Sequence, residues 1–195
     1  MGSIQETATE NQKRAREIIK DVQIVEIWRS VNAEARLVGS LRMGLLMKHR
    51  DIDFHVYSSS LTIADSFSAI SKIAENPAIK HIDYVNLINT DEKCIEWHAW
   101  YRDKENKLWQ IDMIHILKGS FYDGYFENVA DKIKTVLTEE TKNVILTLKY
   151  ETPDDEKIMG IEYYQAVIDN GIRNYKDFCN WREKHPVTGI VEWIP

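Results

Sequence analysis

The sequence predicts an α+β chain in which a part mixing strands and helices precedes an all-helical tail. Three patterns predict it. Short runs with two-residue alternation recur as far as residue 117, the mark of strands with one buried face. Between them lie stretches with apolar residues three and four apart, the mark of amphipathic helices. After Gly119 only the helical period remains. The boundary is expected near Lys118-Gly119-Ser120, dividing the chain into 1–118 and 119–195.

In chain order, QKRAREIIKDVQIVEIWRSV puts Ile18, Ile19, Val22, Val25 and Trp28 on one helical face. Arg36-Leu37-Val38 reads as a short strand stopped by Gly39-Ser40, Leu41 to Met47 as a helical segment, and Ile52 to Tyr57 as a second strand. Thr62 is the expected N-cap of a helix running to about Glu75, where Asn76-Pro77 ends it. Ile79 to Ile88 is a further strand, and CIEWHAWYRDKENKLWQIDMIHI is a hairpin. The tail holds FENVADKIKTVLTEETKNVILTLKY, one long helix or two. A helix over ETPDDEKIMGIEYYQAVIDNG follows, capped by Thr152 with Pro153 in its first turn, and then one over NYKDFCNWREKH. The acids Asp154-Asp155-Glu156 are expected to complement the positive end of that second helix rather than hold a metal.

The hairpin constrains its own register. Ile95, Trp97, Ala99 and Tyr101 alternate with Glu96 and His98; Trp109, Ile111 and Met113 alternate with Gln110, Asp112 and Ile114. If both apolar faces meet one core, directly opposed residues share polarity, so the loop must hold an odd number of residues, three or five. Either Glu96 or His98 then stands beside Asp112. The other histidines, His55, His81 and His115, read as structural, and the dense aromatics of hairpin and tail read mainly as core.

Composition bounds the partners. The chain has 195 residues, 44% hydrophobic, with a net charge of −6, so it folds and does not present the basic surface that grips a long nucleic-acid backbone. A small-molecule partner is favoured and nucleic acid is not. Cys94 and Cys179 form no metal-ligand spacing and are expected to be reduced, buried thiols. No apolar run approaches the ~20 residues of a membrane span. The polar start is no signal peptide, and Glu6 stands where a myristoylation signal has Ser or Thr. A cytoplasmic location is expected.

Two motifs carry chemistry. Asp51 and Asp53, separated by one residue on a strand, face the same side and repel unless a cation lies between them. Oxygen-only ligands suit Mg²⁺, which also binds substrate phosphates. Upstream, Gly39 permits close backbone approach to a phosphate, and Ser40 opens a helical segment and offers a hydroxyl.

Together, Val38-Gly39-Ser40 followed by Asp51-Ile52-Asp53 resembles the signature of the polymerase-β-like nucleotidyltransferase superfamily. His49-Arg50-Asp51-Ile52-Asp53 looks most like its small antibiotic-modifying members, the lincosamide nucleotidyltransferases. The chain departs in carrying Arg50 where many members have Ser or Thr, and Arg42 one place nearer the motif serine than usual. The resemblance implies a mixed sheet with flanking helices and a two-metal Mg²⁺ site on Asp51, Asp53 and a third acid from a later strand. Asp112 is the candidate, with Glu96 in reserve as general base. It implies a nucleoside triphosphate held by Gly39, Ser40, Arg42, Lys48 and Arg50, and transfer of its nucleotidyl group to a hydroxyl of a small molecule. The rivals are a non-catalytic nucleotide-binding or toxin–antitoxin-type protein on the same scaffold, and a metal-dependent phosphohydrolase.

Overall fold

The computed structural model describes residues 3–187, 189 and 191–195. It begins with helix α1 (Ile4–Val22), whose Ser3 N-cap and Glu6 form a reciprocal capping box. The sequence reads as one helix to Val31, but Gln23 takes a left-handed conformation at φ 57° and breaks it before α2 (Ile24–Arg29). The turn lets Ile24 and Trp28 sink completely into the core that Ile18 and Val22 already enter.

A five-stranded sheet follows, ordered β1-β2-β5-β4-β3, from β1 (Glu34–Leu37), β2 (Asp51–Ser58), β3 (Ile79–Asn86), β4 (Cys94–Arg102) and β5 (Leu108–Leu117). Only β2 and β5 run parallel, so the sheet is mixed as expected. Helix α3 (Gly39–Met43) links β1 towards β2, and α4 (Ile63–Ala74), capped by Thr62, carries the crossover to β3. One sheet face, with Ile52, Phe54, Val56, Trp97, Trp109, Ile111 and Met113, is buried against α1, α2 and α4.

In the hairpin Arg102 pairs with Leu108, leaving a five-residue loop, and His98 stands opposite Asp112. The odd loop and shared polarity follow from the alternation. Asp103 organises that loop: its carboxylate accepts from the Glu105 and Lys107 amides at 2.9 Å and from Trp109 Nε1 at 3.0 Å. Asp103→Ala leaves a buried indole N–H without a partner and is expected to cost about 2–3 kcal/mol. Urea unfolding measures this; an unchanged midpoint and slope would refute it.

The tail forms α5 (Tyr125–Val136), α6 (Glu139–Glu151), α7 (Gly160–Ile168) and α8 (Tyr175–Lys184) around a second cluster that includes Ile133, Leu148, Tyr163 and Phe178. Leu45 joins this cluster, and Ala8 and Met47 pack on Leu146, so the tail rests on α1 and the segment after α3. One expectation fails here. Thr152 does not cap a following helix but closes α6, with its hydroxyl on the Leu148 carbonyl (2.8 Å) and on Tyr163 Oη (2.7 Å). Helix α7 therefore starts only at Gly160, and Asp154 lies in a turn, paired with Lys48 at 2.8 Å. Cys94 and Cys179 are both free, but only Cys94 is buried.

Candidate active site

Strand alternation turns Asp51 and Asp53 away from the core that Ile52 and Phe54 enter. The parallel pairing sets Asp53 beside Asp112 and Asp51 beside Gln110, and the antiparallel pairing sets His98 on the other side of Asp112. Three carboxylates from two strands thus share one face of the sheet. They line a cavity of about 680 Å³ closed by residues of the tail.

Asp53 and Asp112 are half-buried in the cavity wall, and Asp51 at the strand end is more exposed. Burial, then the charges of Asp112 and Asp51, pushes the Asp53 carboxyl up to about 7. Asp51 is raised by burial and by Asp112, against the opposing pull of His49, Lys149 and Lys157. A divalent cation reverses this repulsion. The donors present fit Mg²⁺: all are carboxylate oxygens. Asp112 uses only Oδ1 within the protein, meeting His98 Nδ1 at 2.6 Å and Gln110 Nε2 at 2.8 Å, and its Oδ2 has no hydrogen bond among the described residues. His98 is raised above its ordinary pKa, first by that hydrogen bond.

The aspartates stand open rather than drawn into a closed shell, as suits an ion that retains waters and takes substrate oxygens. Among the described residues, the group of three possible ligand atoms within 4.8 Å of one another is elsewhere, at Glu92, Cys94 and Glu96. Burial pushes the Cys94 thiol up to about 12, which keeps it protonated and a poor ligand.

Gly39 adopts φ +65°, and its backbone lies against Asp53: a Cβ there would fall on the carboxyl group, with Cγ at 2.7 Å. The Val38 amide, just before it, donates to the Asp53 carbonyl at 2.9 Å, which fixes the loop to the strand. Helix α3 is barely more than one turn, so its dipole is small. The positive charge beside Ser40 comes instead from Lys149 on α6, which is only 6% exposed. Its ammonium donates to Ser40 Oγ (2.9 Å), Tyr164 Oη (3.0 Å) and the Leu45 carbonyl (3.1 Å). The hairpin alternation had put His98 and Gln110 on the face of Asp112, and both meet its carboxylate; Lys149 and Tyr164 line the cavity and were missed by the sequence reading.

Other expected residues lie elsewhere. Arg42 does not line the cavity; Asp131 (2.9 Å) and the Leu37 carbonyl (3.2 Å) hold its guanidinium. Lys48 and Arg50 line a separate recess beside Asp51, and Lys48 is held there by Asp154. Glu96 shares the sheet face of Asp112 but lines neither cavity; its carboxylate lies 3.7 Å from His98 Nε2. It reaches Asp112 only through that imidazole, so it is not a direct base.

No family model matches the chain, and no curated protein matches it. Solved structures share its fold. A cytoplasmic RNA terminal U-transferase superposes with a TM-score of 0.55 at 14% identity, over 84% of this chain and 50% of that one. The Cid1 poly(U) polymerase with MgGTP bound superposes at 0.58 and 14%, over 81% and 49%; another structure of that enzyme gives 0.54 and 14%, over 85% and 53%. The chain therefore has the nucleotidyltransferase fold of these proteins and spans about half their length. The match exceeds residues 1–118, so the likeness runs into the helical tail. No helix among the described residues is long and apolar enough to cross a membrane.

Proposed function

We propose that the chain is a Mg²⁺-dependent nucleotidyltransferase that moves a nucleoside monophosphate from a nucleoside triphosphate to a hydroxyl of a small molecule. The observation that carries this reading is the convergence of Asp51, Asp53 and Asp112 on one sheet face, with the Gly39 backbone packed against Asp53. Mg²⁺, when bound, neutralises carboxylates and phosphates together and makes the acceptor hydroxyl more acidic. Asp51, Asp53 and Asp112 would hold it. Ser40 and Lys149 bind the outer phosphates and offset the charge that develops on departing pyrophosphate. The acceptor oxygen bonds to the α-phosphorus as the bond to the β-phosphate bridge breaks, and Asp112 takes the hydroxyl proton. Residues 1–118 supply the acids, and residues 119–195 close the cavity over them.

The fold neighbours favour RNA as an alternative acceptor, since their names describe RNA U-transfer and poly(U) synthesis. The net charge of −6 weighs against a polyanion and for a small acceptor. Pyrophosphate release, measured with Mg²⁺, each of the four common triphosphates and a panel of small alcohols beside an oligoribonucleotide, tests the proposal. Release that depends on a small alcohol is expected. Release only with the oligonucleotide moves the acceptor to RNA, inorganic phosphate instead of pyrophosphate makes the chain a phosphohydrolase, and binding without turnover makes it a nucleotide-binding protein.

A further inference from the structure

A second recess, of about 290 Å³, shares Asp51, His49 and Gln110 with the main cavity and extends to Arg50, Trp100 and Asp154. Its place in the sheet gives it a direction. Asp51, Gln110 and Trp100 stand side by side across β2, β5 and β4, whereas Gly39 and Ser40 follow β1 on the other flank of β2. The aspartates therefore lie between the Ser40–Lys149 pair and Trp100. In-line displacement requires the attacking oxygen to enter opposite the leaving group. With pyrophosphate at Ser40 and Lys149, the acceptor enters from the Trp100 side.

The chemistry of the recess narrows what enters. Lys48 is neutralised by Asp154 at 2.8 Å. Arg50 makes no ion pair among the described residues, and its Nε is buried with no hydrogen-bond partner. Buried polar atoms ordinarily find partners, so a guanidinium whose buried Nε has none is held by no fixed neighbour. Arginine is suited to phosphate and carboxylate, which it grips through paired N–H groups. Trp100 adds a flat apolar wall. The volume lies at the low end for small-ligand sites, enough for one ring and one anion. A nucleic-acid strand presents a phosphate at every nucleotide and needs a row of free cations, which the recess lacks.

We infer that this recess is the acceptor subsite, and that the acceptor is a small alcohol bearing a phosphate or carboxylate held by Arg50, with its ring or apolar part against Trp100. The inference rests on the nucleotidyltransferase reading above. It also reassigns Arg50 from the triphosphate to the acceptor.

Calorimetry on the full chain separates the two readings. Mg²⁺ and a non-hydrolysable ATP analogue are first added to saturation, filling the triphosphate site. Phenyl phosphate, benzoate, benzyl alcohol and methyl phosphate are then titrated. Phenyl phosphate or benzoate is expected to bind the loaded protein and benzyl alcohol to bind far more weakly; which of the two anions binds better tells phosphate from carboxylate. Arg50→Gln is expected to weaken the anion by at least about tenfold, with Arg50→Lys between, and to leave the analogue's affinity within about twofold. Trp100→Leu is expected to remove the preference for phenyl over methyl phosphate. Equal anion binding in parent and Arg50→Gln overturns the inference. So does loss of anion binding on loading, which places the anion at the triphosphate site, or tighter binding of a 12-mer oligoribonucleotide with a salt slope of several phosphates. If the parent does not bind the analogue, the nucleotidyltransferase reading fails, and the recess is judged by the Arg50→Gln effect on the unloaded protein.

Discussion

Asp53→Asn is expected to abolish Mg²⁺-dependent nucleotide binding and, without metal, to make the protein more stable at pH 8. The two effects share one cause. Asp53 stands in a cavity wall between two other carboxyls, and its folded pKa is raised from 3.8 to about 7. Between those values the folded protein holds a proton that the unfolded chain has released, so stability falls as pH rises from about 4 to about 7 and stays lowered above. The full linkage is at most about 4 kcal/mol, and water in the cavity reduces it. Asparagine has nearly the same shape and no charge, so it removes the penalty along with the ligand. In EDTA at pH 8 the variant should melt at or above the parent. Saturating Mg²⁺ and a non-hydrolysable triphosphate, at about 100 times the dissociation constant, should add about 2.7 kcal/mol to the parent and almost nothing to the variant. Asp51→Asn should lose binding in the same way. If both variants bind the Mg²⁺–triphosphate complex like the parent, the carboxylates are not its ligands. If the metal-free parent gains stability between pH 5 and 8, the repulsion argued for Asp53 is not there.

What the sequence made legible follows from how local each signal is. The hairpin register could be read because two strands each declare a buried face, and a single parity condition then brings His98 or Glu96 to Asp112; His98 occupies the position. Asp51 and Asp53 share a face by alternation alone. Lys149 could not be found this way. It sits in LTLKYE, where the helical period makes a lysine next to Leu148 look like an ordinary solvated side chain. Its burial depends on a tail helix lying over Ser40, a contact between residues 109 positions apart. The α1–α2 break was hidden for the opposite reason: the apolar period continues through Gln23, and only the packing of Trp28 shows that the chain turns. Thr152-Pro153 misled because threonine caps either end of a helix, and here its hydroxyl finds Leu148 and Tyr163 behind it. Arg42 and Lys48 were placed near phosphates by position in the motif, but Asp131 and Asp154, far along the chain, neutralise them.

The Gly39 contact gives the second large effect and carries its own control. Gly39 opens α3 and Gly44 caps its end, and both have left-handed backbone, at φ +65° and +71°. Any L side chain at either site costs on the order of 1–2 kcal/mol of backbone strain. Only at Gly39 does a methyl group also collide with a neighbour, the Asp53 side chain from its carboxyl back to Cβ; at Gly44 the nearest atom is Gln12 Oε1, at 3.8 Å and the end of a flexible side chain. The collision is relieved by turning the Asp53 carboxyl out of its place in the cavity wall, by pushing Asp53 off its strand position or by tearing the Val38 amide from the Asp53 carbonyl, and each displaces the carboxylate from the site. Gly39→Ala is therefore expected to lose about 3 kcal/mol of stability and at least about a hundredfold in Mg²⁺–triphosphate affinity, because a carboxylate displaced by about 1 Å no longer fits the ion's coordination sphere. Gly44→Ala is expected to lose about 1 kcal/mol and to bind the triphosphate like the parent. Urea unfolding and calorimetry on the pair give both quantities. Equal binding by the two variants would mean that Gly39 serves only the turn and that its closeness to Asp53 has no part in holding the nucleotide.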